Sequence, residues 1–135
     1  MEPRWINRLT NFQRALRQLE NGLQTYPNLT DLEQDGVLQR FGFTVELAWK
    51  TLQAYFADVE GYTDVKGPRK VIIQAFKNEL VANGHDWLQL LDSRKALSDV
   101  VDQAERHQIL VRVQDTYLAL LQDLNRSMST KNDQP

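Results

Sequence analysis

Apolar residues in this chain return at alternating steps of three and four, segment after segment. Trp5, Leu9, Phe12, Leu16, Leu19 and Leu23 form one such series, and Leu38, Phe41, Val45, Ala48, Leu52, Phe56 and Val59 form a longer one, widened by Trp49 and Tyr55. Those steps put side chains on a single stripe of an α-helix, and no stretch alternates apolar with polar residues as a half-buried strand does. A chain patterned in this way must bury its stripes helix against helix. The expected fold class is therefore all-α, an antiparallel up-and-down bundle of about five helices.

Local signals set the boundaries. Tyr26-Pro27-Asn28 interrupts the first helix, because proline disfavours helix at the residue before it. Thr30 with Glu33 three residues on reads as a capping box opening the second helix. Gly61 is its expected stop, with residues 61–67 as a loop. Pro68 suits the first position of a third helix, where a missing N–H costs nothing. Val71, Ile72, Ala75, Phe76, Leu80 and Val81 give that helix its apolar face, and Asn83-Gly84 is expected to end it. Asp86, with Gln89 as its reciprocal partner, is the expected cap of a fourth helix carrying Trp87, Leu90, Leu91, Leu97 and Val101. A break is expected between Val100 and Glu105. The last helix carries Ile109, Val113, Tyr117, Leu120 and Leu124, followed by a polar tail. The organisation expected is one domain over residues 1–128 and a disordered tail over 129–135.

Composition narrows the chemistry. With 135 residues, one core can form without staples, and with no cysteine there is neither disulfide nor thiolate chemistry. A net charge of −2 rules out a chain-wide basic field for nucleic acid, though not a local groove. No apolar run approaches a membrane span and the N-terminus lacks an apolar signal core, so a cytoplasmic protein with no membrane partner is expected. Gly61, Gly67 and Gly84 are scattered, each beside a helix end, and no glycine-rich phosphate loop occurs. His85 and His107 are the only histidines, and neither has a second ligand at helical spacing, so no metal and no cofactor are expected.

A few charged residues stand out against this background. Glu46 interrupts the apolar run Phe41-Gly42-Phe43-Thr44-Val45-Glu46-Leu47-Ala48-Trp49. In such surroundings a buried pairing with an arginine from another helix is expected; the alternative is a surface pair with Lys50, worth about 0.3–0.5 kcal/mol. Lys66, Arg69 and Lys70 surround the start of the third helix, where an anion would be welcome, or else they are solvated surface charge. Trp5, Trp49 and Trp87 read as core anchors. Arg94 lies on nearly the same helical face as Trp87. It either snorkels at the bundle edge or lines a groove, with Asp92, Asp99 and Asp102 as possible partners.

Taken together, three blocks resemble the nucleotidyltransferase substrate-binding protein family of the HEPN-like helical superfamily. They are Arg40 to Leu52, then Pro68-Arg69 with Val71-Ile72 and Ala75-Phe76, then Trp87 with Asp92-Ser93-Arg94. The likeness extends over nearly the whole chain. It implies a helical bundle that forms a homodimer and works with a small nucleotidyltransferase, often in a toxin–antitoxin module, with nucleotide or RNA as a further ligand class. In many members of the superfamily an arginine and a histidine separated by four residues form a metal-independent ribonuclease site across the dimer, and a tyrosine two positions later can be modified. Here Arg94 matches the arginine, Lys95 follows it, Asp99 holds the histidine position and Val101 the tyrosine position. Aspartate, with an ordinary pKa of about 3.9 against about 6.5 for histidine, is a poor substitute for imidazole near neutrality. The expected function is thus a non-catalytic helical partner subunit that presents substrate or acts in a toxin–antitoxin pair. The alternative is a HEPN-type ribonuclease toxin with a degenerate site, in which His107 stands in. The expected groove comprises Arg94, Asp99, Lys95, Glu46 and Arg69, with no catalytic residue assigned and Arg94 and Asp99 as a degenerate motif.

Overall fold

The stripes become five helices in the computed structural model, which describes residues 2–99 and 101–133. Helix α1 spans Arg4–Gly22, α2 Asp31–Asp58, α3 Pro68–Lys77 and α4 Gly84–Ser98. Helix α5 starts as Gln103–Arg112, winds through a π turn at Val113–Tyr117 and continues as Leu118–Asn132. Arg112 and Leu118, on either side of the π turn, keep right-handed helical backbone angles, so α5 is one unbroken rod. No strand occurs among the described residues, and the helices pack as an all-α antiparallel bundle.

The capping chemistry explains most boundaries. Thr30 accepts the Glu33 backbone N–H at 3.1 Å while Glu33 accepts the Thr30 N–H at 2.8 Å, completing the capping box of α2. Pro68 opens α3 behind Gly67, whose φ of +87° suits glycine, and Gln53 of α2 accepts the Gly67 amide at 2.9 Å. Asp102 caps α5 by accepting the Glu105 N–H at 2.8 Å.

Several boundaries differ from the sequence reading. Helix α3 stops at Lys77, well before Asn83-Gly84. Glu79 adopts φ +62°, and the bonds from the Leu80 N–H to the Ala75 carbonyl and from the Glu79 N–H to the Phe76 carbonyl form a Schellman closure. Leu80 and Val81 are buried from that turn, not from the helix, and Phe76 is 51% exposed. Asp86 does not cap α4; the helix starts two residues earlier, behind Asn83, and Asp86 sits in its first turn. Val59 lies past the end of α2 and is 51% exposed. Val101 falls in the link between α4 and α5, within the break expected there; Val100 is outside the described residues. The helix continues through Asn132 beyond the expected boundary at 128. Met128 is fully buried, and the Gln13 amide of α1 donates to Asn125 at 2.9 Å and Ser129 at 3.2 Å. Residues 134 and 135 are outside the described residues.

The core is built on Phe12, Phe41, Leu52, Phe56, Trp87 and Tyr117, all almost wholly excluded from solvent. Each large side chain buried in this way is worth about 1.5–3 kcal/mol, several times a surface ion pair, so the stripes and not the charges decide the fold. Among the described residues every buried hydroxyl has a partner. Thr44 and Thr51 donate back to the carbonyls of Arg40 and Leu47, each at 2.7 Å. Ser93 and Tyr117 share a hydrogen bond of 2.7 Å, and the Tyr117 ring stacks on Phe41 with centroids 5.6 Å apart.

Two measurements check this account. Tyr117→Phe keeps the ring but leaves Ser93 without its buried partner, so urea unfolding should show a loss of about 1–3 kcal/mol, partly recovered when Ser93→Ala is added. The second concerns pH. Hydrogen bonds from Thr30, the backbone N–H foremost and the side chain next, hold the Glu33 carboxyl below its ordinary 4.5. A folded-state pKa below the unfolded one contributes stability that is fully present above the unfolded value and is lost as pH falls through the folded one. A carbon-13 titration of Glu33 should therefore give a midpoint below 4.5, and Glu33→Gln should show a smaller rise in stability across that acidic window.

Candidate functional site

Helices α2 and α4 approach closely where Gly42 has no side chain. A Cβ there would meet Nε of Arg94 at 2.8 Å and its Cδ at 3.1 Å, so the glycine makes room for the arginine to lie on the α2 backbone. Arg94 uses that room to donate from Nε to the Gly42 carbonyl at 3.1 Å and from Nη1 to the Ser98 hydroxyl at 2.7 Å. The side chain is half-buried, and it forms a wall between two open clefts.

The first cleft, about 450 Å³, opens between α2, the start of α3 and α4. Helix α2 contributes Val45, Glu46 and Trp49, and α3 contributes Pro68 and Arg69. Helix α4 contributes Leu91, Asp92, Arg94, Lys95 and Ser98, spaced by three and four so that one face of the helix lines the cleft. Three cations and two carboxylates face one another around a half-exposed indole. The second cleft, about 540 Å³, lies on the other side of Arg94, among Leu38, Gly42 and Phe43 of α2, Leu97 of α4 and Arg106 of α5. Arg106 there donates to Asp35 at 3.0 Å, and Phe43 is 59% exposed.

Four of the five expected groove residues, Glu46, Arg69, Arg94 and Lys95, thus share one cleft. Asp99 does not join them. Helix α4 ends at Ser98, the Asp99 backbone turns extended (φ −91°, ψ 171°), and its side chain lies outside both clefts on Arg94. Of the other carboxylates considered for Arg94, Asp92 lines the cleft and Asp102 is taken up by the α5 cap. The buried arginine partner expected for Glu46 is not there. Its carboxylate sits 3.6 Å from Lys50 Nζ with more than a third of each side chain exposed, which is the surface pair, because Glu46 lies on the wet edge of the α2 stripe. Trp49 is a cleft wall, not a core anchor like Trp5 and Trp87; it is half-buried, and Lys50 Nζ lies 5.8 Å from its ring centroid. His85 and His107 are both exposed, and neither lines a cleft beside Arg94. Among the described residues no three histidine, cysteine or carboxylate side chains are grouped to hold a metal. No described helix is long and apolar enough to cross a membrane.

The sequence profile described as "nucleotidyltransferase substrate binding protein like" matches residues 7–130. The chain belongs to that family. A crystal structure of a protein from Thermus thermophilus is similar to it, with a TM-score of 0.76 and 28% identity over 84% of this chain and 94% of that one. No curated protein matches the chain. Sequence reasoning missed Gly42, Ser98, Phe43 and Arg106. The signal for Gly42 was available: a glycine in mid-helix costs about 0.5–1 kcal/mol relative to alanine, and one set between two phenylalanines calls for a close approach. Ser98 and Arg106 carry no such signal, since their roles depend on where α4 ends and on how α5 crosses α2.

The geometry at Arg94 makes a prediction about catalysis. Proton exchange near neutral pH needs an imidazole or an equivalent group within reach of the bound phosphate. Neither Asp99 nor His107 lines the clefts beside Arg94. Purified protein incubated with mixed RNA and chelator, beside an Arg94→Ala control, should leave the RNA intact in both samples. Cleavage that vanishes in the control would establish the ribonuclease alternative.

Proposed function

We propose that the chain is a non-catalytic partner subunit of a small nucleotidyltransferase, of the kind found in toxin–antitoxin pairs, and that it works as a homodimer with α4 near the two-fold axis. The observation that carries this reading is the cleft in which Arg69, Arg94 and Lys95 converge around Trp49 with no histidine among the lining residues to activate a nucleophile such as Ser98. Such a site recognises without transforming: guanidinium and ammonium groups attract an oxyanion, the indole gives a flat apolar face, and the chemistry is left to the enzyme that brings or receives the ligand. The family's description, naming a nucleotidyltransferase and its substrate, supports the same assignment. Cytoplasmic nucleotide or RNA would fit the charge of the cleft, and the two carboxylates, Glu46 and Asp92, would help to reject anions that present their charge at the wrong edge.

The dimer is supported by the second cleft. Phe43 and Leu97 present apolar surface beside Arg94 on the α4 side of the bundle, and an aromatic ring that exposed is a natural contact for another copy.

One experiment tests the whole proposal. The protein is mixed with a small nucleotidyltransferase from the same genome and run through size exclusion with light scattering. A complex containing two copies of this 15.7 kDa chain is the expected outcome. Replacing Arg69→Glu and Lys95→Glu together should weaken the complex or its nucleotide affinity at least tenfold without altering helix content. A monomer that ignores the nucleotidyltransferase at micromolar concentrations would overturn the assignment.

A further inference from the structure

Arginine side chains at the rim of a groove ordinarily sample many rotamers, and holding one still costs entropy that must be met at the moment of binding. Arg94 is held before any ligand arrives. Its Nε is committed to the Gly42 carbonyl and its Nη1 to the Ser98 hydroxyl, one anchor on each of two helices. A guanidinium has five N–H donors in a rigid plane, so two anchors fix the plane while leaving others free. Both N–H groups of Nη2 have no acceptor among the described residues. The plane lies between the two clefts, lining both.

We propose that Gly42 and Ser98 are positioning residues, which fix the Arg94 guanidinium in advance so that its Nη edge is a preset binding point for one oxyanion. This deepens the proposed function and rests on it: the oxyanion is either a phosphate of a nucleotide or nucleic acid, or a carboxylate carried by the protein partner. Gly42 acts through sterics and its carbonyl. A Cβ at that position would come within 2.8 Å of Nε and 3.3 Å of Cζ, displacing the guanidinium, not the helix, because the arginine is the flexible member of the pair. Ser98 acts through its hydroxyl, one turn along α4 from Arg94, where it also lies 3.5 Å from the Arg94 carbonyl. The close approach of α2 to α4 is thus used to orient a side chain as well as to pack a core. Glycine is the residue type that permits the approach without filling the space.

The test reads Arg94 directly. In a nitrogen-15 spectrum of the full chain, the Arg94 Nε–H should be protected from solvent exchange in the wild type and lose that protection in Gly42→Ala, while the helix content and the melting transition stay nearly unchanged. Ser98→Ala should weaken the protection, and Ser98→Thr, which keeps the hydroxyl, should restore it. The same resonance is then titrated with inorganic phosphate and, separately, with acetate. A shift with phosphate alone assigns the edge to phosphate, a shift with acetate alone assigns it to a protein carboxylate, and either supports the proposal. No shift with either anion overturns it, as does a wild-type Arg94 signal in Gly42→Ala. Binding to the nucleotidyltransferase supplies the second readout. Gly42→Ala and Arg94→Ala should each weaken it at least tenfold, and the double variant should be no weaker than Arg94→Ala, because both remove the same interaction. Additive losses would show that Gly42 acts elsewhere. If the nucleotidyltransferase does not bind the wild type at all, the partner assignment fails while the anion titration still decides the positioning role.

Discussion

Every other helix of this bundle touches α2, and the rest of the structure follows from what that contact demands. A helix surrounded in this way must be apolar on more than one face. Helix α2 meets the demand with Phe41, Val45, Ala48, Leu52 and Phe56 along one stripe and with Val37, Leu38, Ala54 and Tyr55 beside it. Its two buried threonines do not break the pattern, because each returns its hydroxyl to a carbonyl one turn back. Only a narrow strip, with Gln39, Phe43, Glu46 and Lys50, is left facing outward, and the two clefts beside Arg94 open along it. The placement of the candidate site is therefore a by-product of burying the central helix: the clefts lie where α3, α4 and α5 fail to close over it.

The same fact explains what was legible in the residues and what was not. Helix number, class and the stripes of α1, α2 and α5 could be read directly, since periodicity reports burial and burial decides these elements. The α2 cap was equally clear, because Thr30 and Glu33 interact locally. The end of α3 was not, for a physical reason: Glu79 takes a left-handed conformation usually given to glycine, and the closure that allows it is made by backbone bonds that any sequence can form. Asp86 was misread because an aspartate near a helix start serves either as a cap or as a first-turn charge, and only the backbone distinguishes the two. At the site, Arg94 was visible as a cation beside core positions and Arg69 as part of a basic cluster at the start of α3, while Lys95 came only through the family resemblance. The anchoring of Arg94 was not, because it joins positions 42, 94 and 98, and such a contact exists only once two helices have crossed.

The second polar feature of the interior links this arrangement to α5. Ser93 is the neighbour of Arg94 on α4 and shares its hydroxyl with Tyr117, whose ring lies against Phe41, the neighbour of Gly42 on α2. Neighbouring positions on α2 and α4 therefore divide between two tasks, Gly42 with Arg94 at the cleft and Phe41 with Ser93 toward the core, and the inner pair is locked to α5. Rotation of α4 about its axis, which would move Arg94 along the cleft, would have to break a buried hydrogen bond and disturb an aromatic stack. The orientation of a surface guanidinium is in this sense set from the core.

Tyr117 occupies that place because α5 winds one turn too wide. In a π turn an extra residue is accommodated without breaking the rod, whereas a regular α-helix advances about 100° with each residue. The turn at Val113–Tyr117 therefore works as a phase shift between two lengths of helix that answer to different neighbours. The first length sets Ile109 and Leu110 into the core and Arg106 against Asp35; the second buries Leu121, Leu124 and Met128 and turns Asn125 and Ser129 toward Gln13 of α1. Deleting a single residue from the turn would give a more ordinary helix and a worse protein, since one length could keep its register only by rotating the other out of it. Gene copies of this chain should accordingly tolerate changes of residue type at Asp115 and Thr116, away from the core side of that turn, far better than changes in its length.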